Sequence, residues 1–120
     1  MEIIIIDSNG DEIGPMDQAQ AQNYLRDLIE KNRFANLSQS LNDVVDGKGK
    51  ATGDYTFNDQ PVLHASSGIP GVKSVSLFFF EEEDIIYIIA MGEHKTSTTY
   101  KLTDYGQPDG DFKYKATITL

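Results

Sequence analysis

Apolar residues open the chain as a block. Four consecutive isoleucines at 3–6 stand between Glu2 and Asp7. A run apolar on both faces predicts an inner β-strand, and "SNGDE" behind it carries an Asn-Gly turn signal. The pattern then becomes helical. In "GPMDQAQAQNYLRDLIEKN", Asp17 and Gln20 have capping-box spacing, and Ala21, Tyr24, Leu25, Leu28 and Ile29 share one helical face. A second, shorter amphipathic helix fits "NLSQSLNDVVDG", with Leu37, Leu41, Val44 and Val45 inward and Gly47 as its stop.

"DGKGKATGD" breaks the periodicity and predicts a loop, after which every apolar stretch has strand character. "DYTF" and "PVLHAS" are short candidates. "VKSVSLFFFE" and "DIIYIIAMG" are long and are joined by the acidic "EEED", which predicts a hairpin; "TSTTYKL" is β-branched enough to pair back. In "FKYKATITL", Phe112, Tyr114, Ala116, Ile118 and Leu120 alternate with polar residues, as in a half-buried antiparallel strand. The expected fold is therefore one α+β domain over 1–120. Two N-terminal helices pack on one face of a mostly antiparallel sheet of about five strands.

The chain has 120 residues, long enough to bury a core without covalent staples. It has no cysteine, so no disulfide, thiol nucleophile or cysteine-ligated zinc is expected. The isoleucine run is too short for a signal core or a membrane span, and the expected location is cytoplasmic, away from membranes. A net charge of −9 is concentrated toward the start, where residues 1–46 hold nine acids against Arg26, Lys31 and Arg33. That balance repels phosphate backbones at long range and suits a basic protein partner.

Three loops resemble ligand motifs and lack their spacing. "GKGKATG" follows a helix instead of opening one and does not match a P-loop, so it reads as a connector. "DSNGDE" has Glu12 and Gln18 where a calcium loop needs Gly and Glu. The adjacent carboxylates of "EEED" diverge in a hairpin and read as a solvated tip that discourages edge pairing. No cofactor or metal is expected.

Candidate chemistry centres on the two histidines, the only side chains that titrate near neutral pH unaided. His64 stands at a predicted strand end, and His94 follows the apolar "IIYIIAMG". Cleavage of RNA without a metal requires a base for the ribose 2′-OH, an acid for the leaving oxygen and a cation for the charged phosphorane. His94 or His64 with Lys95 or Lys73, and hydroxyl donors such as Tyr100, contain the necessary groups.

The order strand, helix, helix, strands resembles RelE-type toxins and the wider barnase–colicin–RelE group of ribonuclease folds, over roughly residues 15–102. Within it, "GVKSVSLFFFEEEDIIYIIAMGEHKTSTTY" is similar to the RelE core. The resemblance implies a ribonuclease toxin with Lys73 at a basic strand position and His94, Lys95 and Tyr100 in the segment after the central strand. The arginines, usually abundant in such toxins, number only two here, and the alternating C-terminal strand is additional.

Two functions follow as expectations. One is an acidic protein-binding module, such as an immunity or inhibitor protein acting on a basic partner. The alternative is a metal-independent ribonuclease using His94, His64, Lys95, Lys73 and Tyr100. Convergence of His64, His94, Lys95 and Tyr100 in one cleft is the geometric feature that favours the second, and their scatter counts against it.

Overall fold

The computed structural model describes residues 1–7, 9–57, 59–69, 72–102 and 117–120. Their order is β1 (Glu2–Ile6), β2 (Glu12–Met16), α1 (Gln18–Arg26), a short 3₁₀ turn (Lys31–Arg33), α2 (Phe34–Val45), β3 (Lys50–Phe57), β4 (Gln60–Ile69), β5 (Val72–Glu82), β6 (Ile85–His94), β7 (Thr99–Leu102) and β8 (Thr117–Thr119). The α+β class and the mostly antiparallel sheet match expectation. Among the described residues the sheet has eight strands, however, and the helices follow a β-hairpin instead of a single strand.

Strand order along the main path is β2-β1-β6-β5-β4-β3. The isoleucine strand β1 is an inner strand, parallel to β6 and antiparallel to β2. Ile3–Ile6 are all buried, which explains why no polar position interrupts the run. The hairpin expected between β5 and β6 forms around Glu83 and Asp84, with φ of 52° and 65°. Two successive left-handed residues make the tight turn whose twist matches the strands it joins.

Two departures have a common cause. "KATGDYTF" is a full strand instead of a loop with a short strand after it, and β4 runs ten residues. Polar residues conceal both strands, and ladder pairing of β3 with β4 and of β4 with β5 makes them strands. Of the predicted C-terminal strand, residues 112–116 lie outside the described residues. Its last part, β8, pairs with β7.

Curling follows from a bulge. In the β5–β6 ladder, Phe78 pairs with Ala90 and Phe79 with Ile88, leaving Ile89 as an extra residue. The first half of β6 pairs with β1, and Gly92–His94 pair with β7. A Cβ at Gly92 would lie 2.5 Å from the Lys101 carbonyl oxygen, so glycine permits this close approach of β7. The far ends of the sheet then meet: Tyr55 Oη of β3 donates to the Thr119 carbonyl of β8 at 3.4 Å.

Both helices pack on one face of the sheet. Ser40 is wholly buried in α2, and its hydroxyl donates to the Val75 carbonyl of β5 at 2.8 Å. Asn36 donates to the Lys73 carbonyl at 2.8 Å, and Arg33 to that of Ser74 at 3.0 Å. Leu25, Leu37, Leu41, Leu77 and Phe79 are fully buried in one core.

The capping box expected at α1 is present: Gln20 N–H donates to Asp17 Oδ1 at 2.8 Å, and Asp17 N–H donates to Gln20 Oε1 at 3.0 Å. Asp17→Ala is expected to cost about 1 kcal/mol in urea unfolding. Asp17→Ser should recover most of that loss. If serine does not recover it, the cap is not the source.

Candidate functional site

On the face opposite the helices, alternation along three strands collects polar and aromatic side chains. Residues at i and i+2 of a strand share a face. His64 and Ser66 therefore align on β4, with Ser74, Ser76 and Phe78 on β5. Register pairs His64 with Phe78 and Ser66 with Ser76, while β7 brings Tyr100 opposite His94.

The rings form a compact group. Tyr100 Oη lies 3.2 Å from His64 Nε2. The Tyr100 ring centroid is 4.0 Å from that of His94 and 5.6 Å from those of His64 and Phe78. His64 stacks on Phe78 at 6.1 Å. Tyr100 is 2% exposed, so its hydroxyl is supplied entirely by protein partners.

These partners determine the direction of the hydrogen bonds. His64 Nδ1 is 3.1 Å from the Lys50 carbonyl, which can only accept, so Nδ1 carries the proton. The Nε2 lone pair then accepts from the Tyr100 hydroxyl. Ser66 and Ser76, whose hydroxyls lie 2.7 Å apart, stand on the same face beside this pair. The result is a hydrogen-bonded chain from Tyr100 through His64 to the Lys50 carbonyl.

His94 is held by its backbone. Its N–H donates to Ser74 Oγ at 2.8 Å, and the same hydroxyl donates to its carbonyl at 3.3 Å. Its Nε2 is enclosed and has no hydrogen-bond partner among the described residues. An enclosed polar atom without a partner costs roughly 1–3 kcal/mol and is a mark of functional sites.

Burial lowers the pKa of both histidines below the usual imidazole range. For His64 the bond to the Lys50 carbonyl opposes that effect, while the charges of His94 and Lys50 add to it. Burial also raises the Tyr100 pKa, against the bond from Ser66.

A pocket of about 370 Å³ opens onto this group, lined by Asp43, Lys48, Lys50, His64, Ser66 and His94 together with Ala65. It exists because β3 begins at Lys50, paired with His64, which leaves β4 beyond His64 without a β3 partner. Of the five residues singled out by sequence, His64, His94 and Tyr100 converge. Lys95 and Lys73 do not line the pocket: Lys95 Nζ is bound to Glu93 Oε2 at 3.1 Å, and Lys73 sits at the β4–β5 turn with φ of 52°.

The cations near the histidines are Lys48 and Lys50, from the segment read as a connector. The missed signal was strand alternation in "KATGDYTF". Pairing it with "QPVLHAS" as a hairpin sets Lys50 opposite His64, and Ser66 follows two residues on.

Among the described residues, no three His, Cys, Asp or Glu side chains are grouped to hold a metal ion. No helix there is long and apolar enough to cross a membrane. The chain matches no protein-family model, no curated protein and no solved structure.

Proposed function

We propose that the chain is a ribonuclease that cleaves RNA by side-chain acid–base chemistry at the His64–His94–Tyr100 group. The observation that carries this reading is the convergence of two imidazoles and a buried tyrosine beside a pocket lined by two lysines.

In this reading His64, its lone pair directed to Nε2, takes the proton of the ribose 2′-OH. The 2′-oxygen bonds to phosphorus, the bond from phosphorus to the 5′-oxygen breaks, and His94, starting as the imidazolium, gives its own proton to that oxygen while His64 ends protonated. Lys48 and Lys50 offset the charge on the phosphorane. Tyr100 positions His64 and yields its place at Nε2 to the substrate hydroxyl.

The test is a 5′-labelled oligoribonucleotide incubated with purified protein in EDTA. Products ending in a 2′,3′-cyclic phosphate are expected, and a 2′-deoxy substitution at the cleaved position should block them. Intact RNA at micromolar protein would sink the proposal.

The pH profile supplies a second check. The base must be neutral and the acid protonated, so rate falls below one pKa and above the other. Both are lowered, which puts the maximum below about pH 6.5. A maximum above pH 7.5 would contradict these roles.

The net charge of −9 supports a second reading, a binding module for a basic protein, as an immunity or inhibitor protein would be. Electrostatic complementarity would mainly speed association. This reading expects association that weakens steeply with added salt.

A further inference from the structure

On the helix side of the sheet, at the same end as His94, a groove of about 340 Å³ runs between the α1–α2 connection and strands β5 and β6. Its apolar lining comes from Leu28, Ile29 and Val75. Leu28 is 43% exposed, one of the few large hydrophobic side chains left open to solvent among the described residues. Three carboxylates, Asp27, Glu30 and Glu93, line the same groove.

Two of the nearby cations, Arg33 and Lys95, are engaged with Glu93, while Lys31 stays exposed beside Glu30. Arg33 is largely buried, lies 3.4 Å from Glu93 Oε2, and donates to the Ser74 carbonyl. Lys95 shares the same Glu93 oxygen. Glu30 stays 74% exposed and reaches Arg33 only at 4.0 Å. The groove therefore combines apolar surface with two exposed carboxylates, Asp27 and Glu30, that have no ion pair closer than 4.0 Å among the described residues, beside the Arg33–Glu93–Lys95 cluster.

We infer that this groove docks a cationic, amphipathic peptide segment of a partner protein. One apolar side chain of the segment covers Leu28, and flanking Lys or Arg side chains meet Asp27 and Glu30. The inference rests on the binding-module reading and gives it a surface; it does not involve the histidine pocket, because Glu93 and His94 are consecutive in β6 and point to opposite faces. Charge complementarity selects the occupant: an acidic or neutral segment leaves the carboxylates unmatched, and a polyanion is repelled.

The test uses fluorescein-labelled synthetic heptapeptides and anisotropy with the full chain. The probe KLRFKLK is compared with KGRGKGK, which keeps the charge and lacks the anchors, and with the acidic ELEFELE. Saturable binding of the first alone is expected, weakened about tenfold between 50 and 300 mM salt as surface charge is screened.

Leu28→Ser and the double variant Asp27→Asn/Glu30→Gln should each weaken binding by about fivefold to tenfold, a modest loss of contact energy. These positions are at the surface, and an unchanged melting temperature confirms that the variants fold. Absence of saturable binding, or equal binding of KGRGKGK, overturns the inference. Unchanged affinity in the variants overturns the groove alone: salt-sensitive binding that survives them leaves the binding-module reading in place at another surface.

Discussion

Replacing His64 or His94 with glutamine is expected to lower RNA cleavage by about 10²–10⁴-fold, the usual contribution of a positioned acid or base. The two positions should not behave alike in pH. His64→Gln removes the group that must be neutral, so the acidic limb of the profile should flatten, whereas His94→Gln should flatten the alkaline limb. Tyr100→Phe keeps the ring against His94 and Phe78 and removes only the hydroxyl that holds His64 Nε2. A smaller loss is expected there, with the products unchanged.

The lysines separate this arrangement from the one read along the chain. Lys50→Ala should reduce cleavage strongly, while Lys95→Ala should leave it within about twofold, since an exposed ion pair such as that of Lys95 with Glu93 contributes little. The opposite ranking would return the phosphate site to the β6–β7 turn. Cleavage that persists in both histidine variants would remove the group from the chemistry altogether.

Phe79→Ala is expected to cost about 3–5 kcal/mol, because truncating a buried phenylalanine leaves a cavity as well as losing transfer energy. Phe79 is fully buried, and its ring fills the space over Gly49, where even a Cβ would overlap it. The bend of the chain from α2 into β3 is packed against that ring. A large drop in the urea midpoint should therefore accompany a melting temperature lower by about 10–20 °C. Leu28→Ala, at an exposed position, should cost well under 1 kcal/mol by comparison. Similar losses from the two would contradict the burial that distinguishes them.

The two histidines also enter stability. The folded pKa of each histidine lies below its unfolded value, so the unfolded chain binds more protons as pH falls through that range. The linked stability is present above about pH 6.5 and is lost on acidification toward the folded pKa values. His64→Gln should reduce the acid sensitivity of the melting temperature.

Much of the fold was legible because local rules and tertiary demands agree in those places. The isoleucine run had to be an inner strand, since only two-sided burial tolerates an uninterrupted apolar block. Asp17 and Gln20 marked a helix start by their spacing, and two long apolar runs around "EEED" marked the hairpin. Strand β3 was less legible. "KATGDYTF" has glycine and charge inside it, and its partner strand supplies the hydrogen bonds that make it a strand.

By itself the sequence determined the class of fold, the central hairpin and the helix cap, and it singled out His64, His94, Lys73, Lys95 and Tyr100 as candidates for chemistry. These follow from periodicity and side-chain type, which are local properties. Only the tertiary structure decided which of them meet. The bulge at Ile89 and the close pass of β7 at Gly92 bring Tyr100 between histidines 30 residues apart, and the start of β3 substitutes Lys48 and Lys50 for Lys73 and Lys95. A bulge of one residue changes which side chains share a face, and its effect is expressed only through the pairing of distant strands.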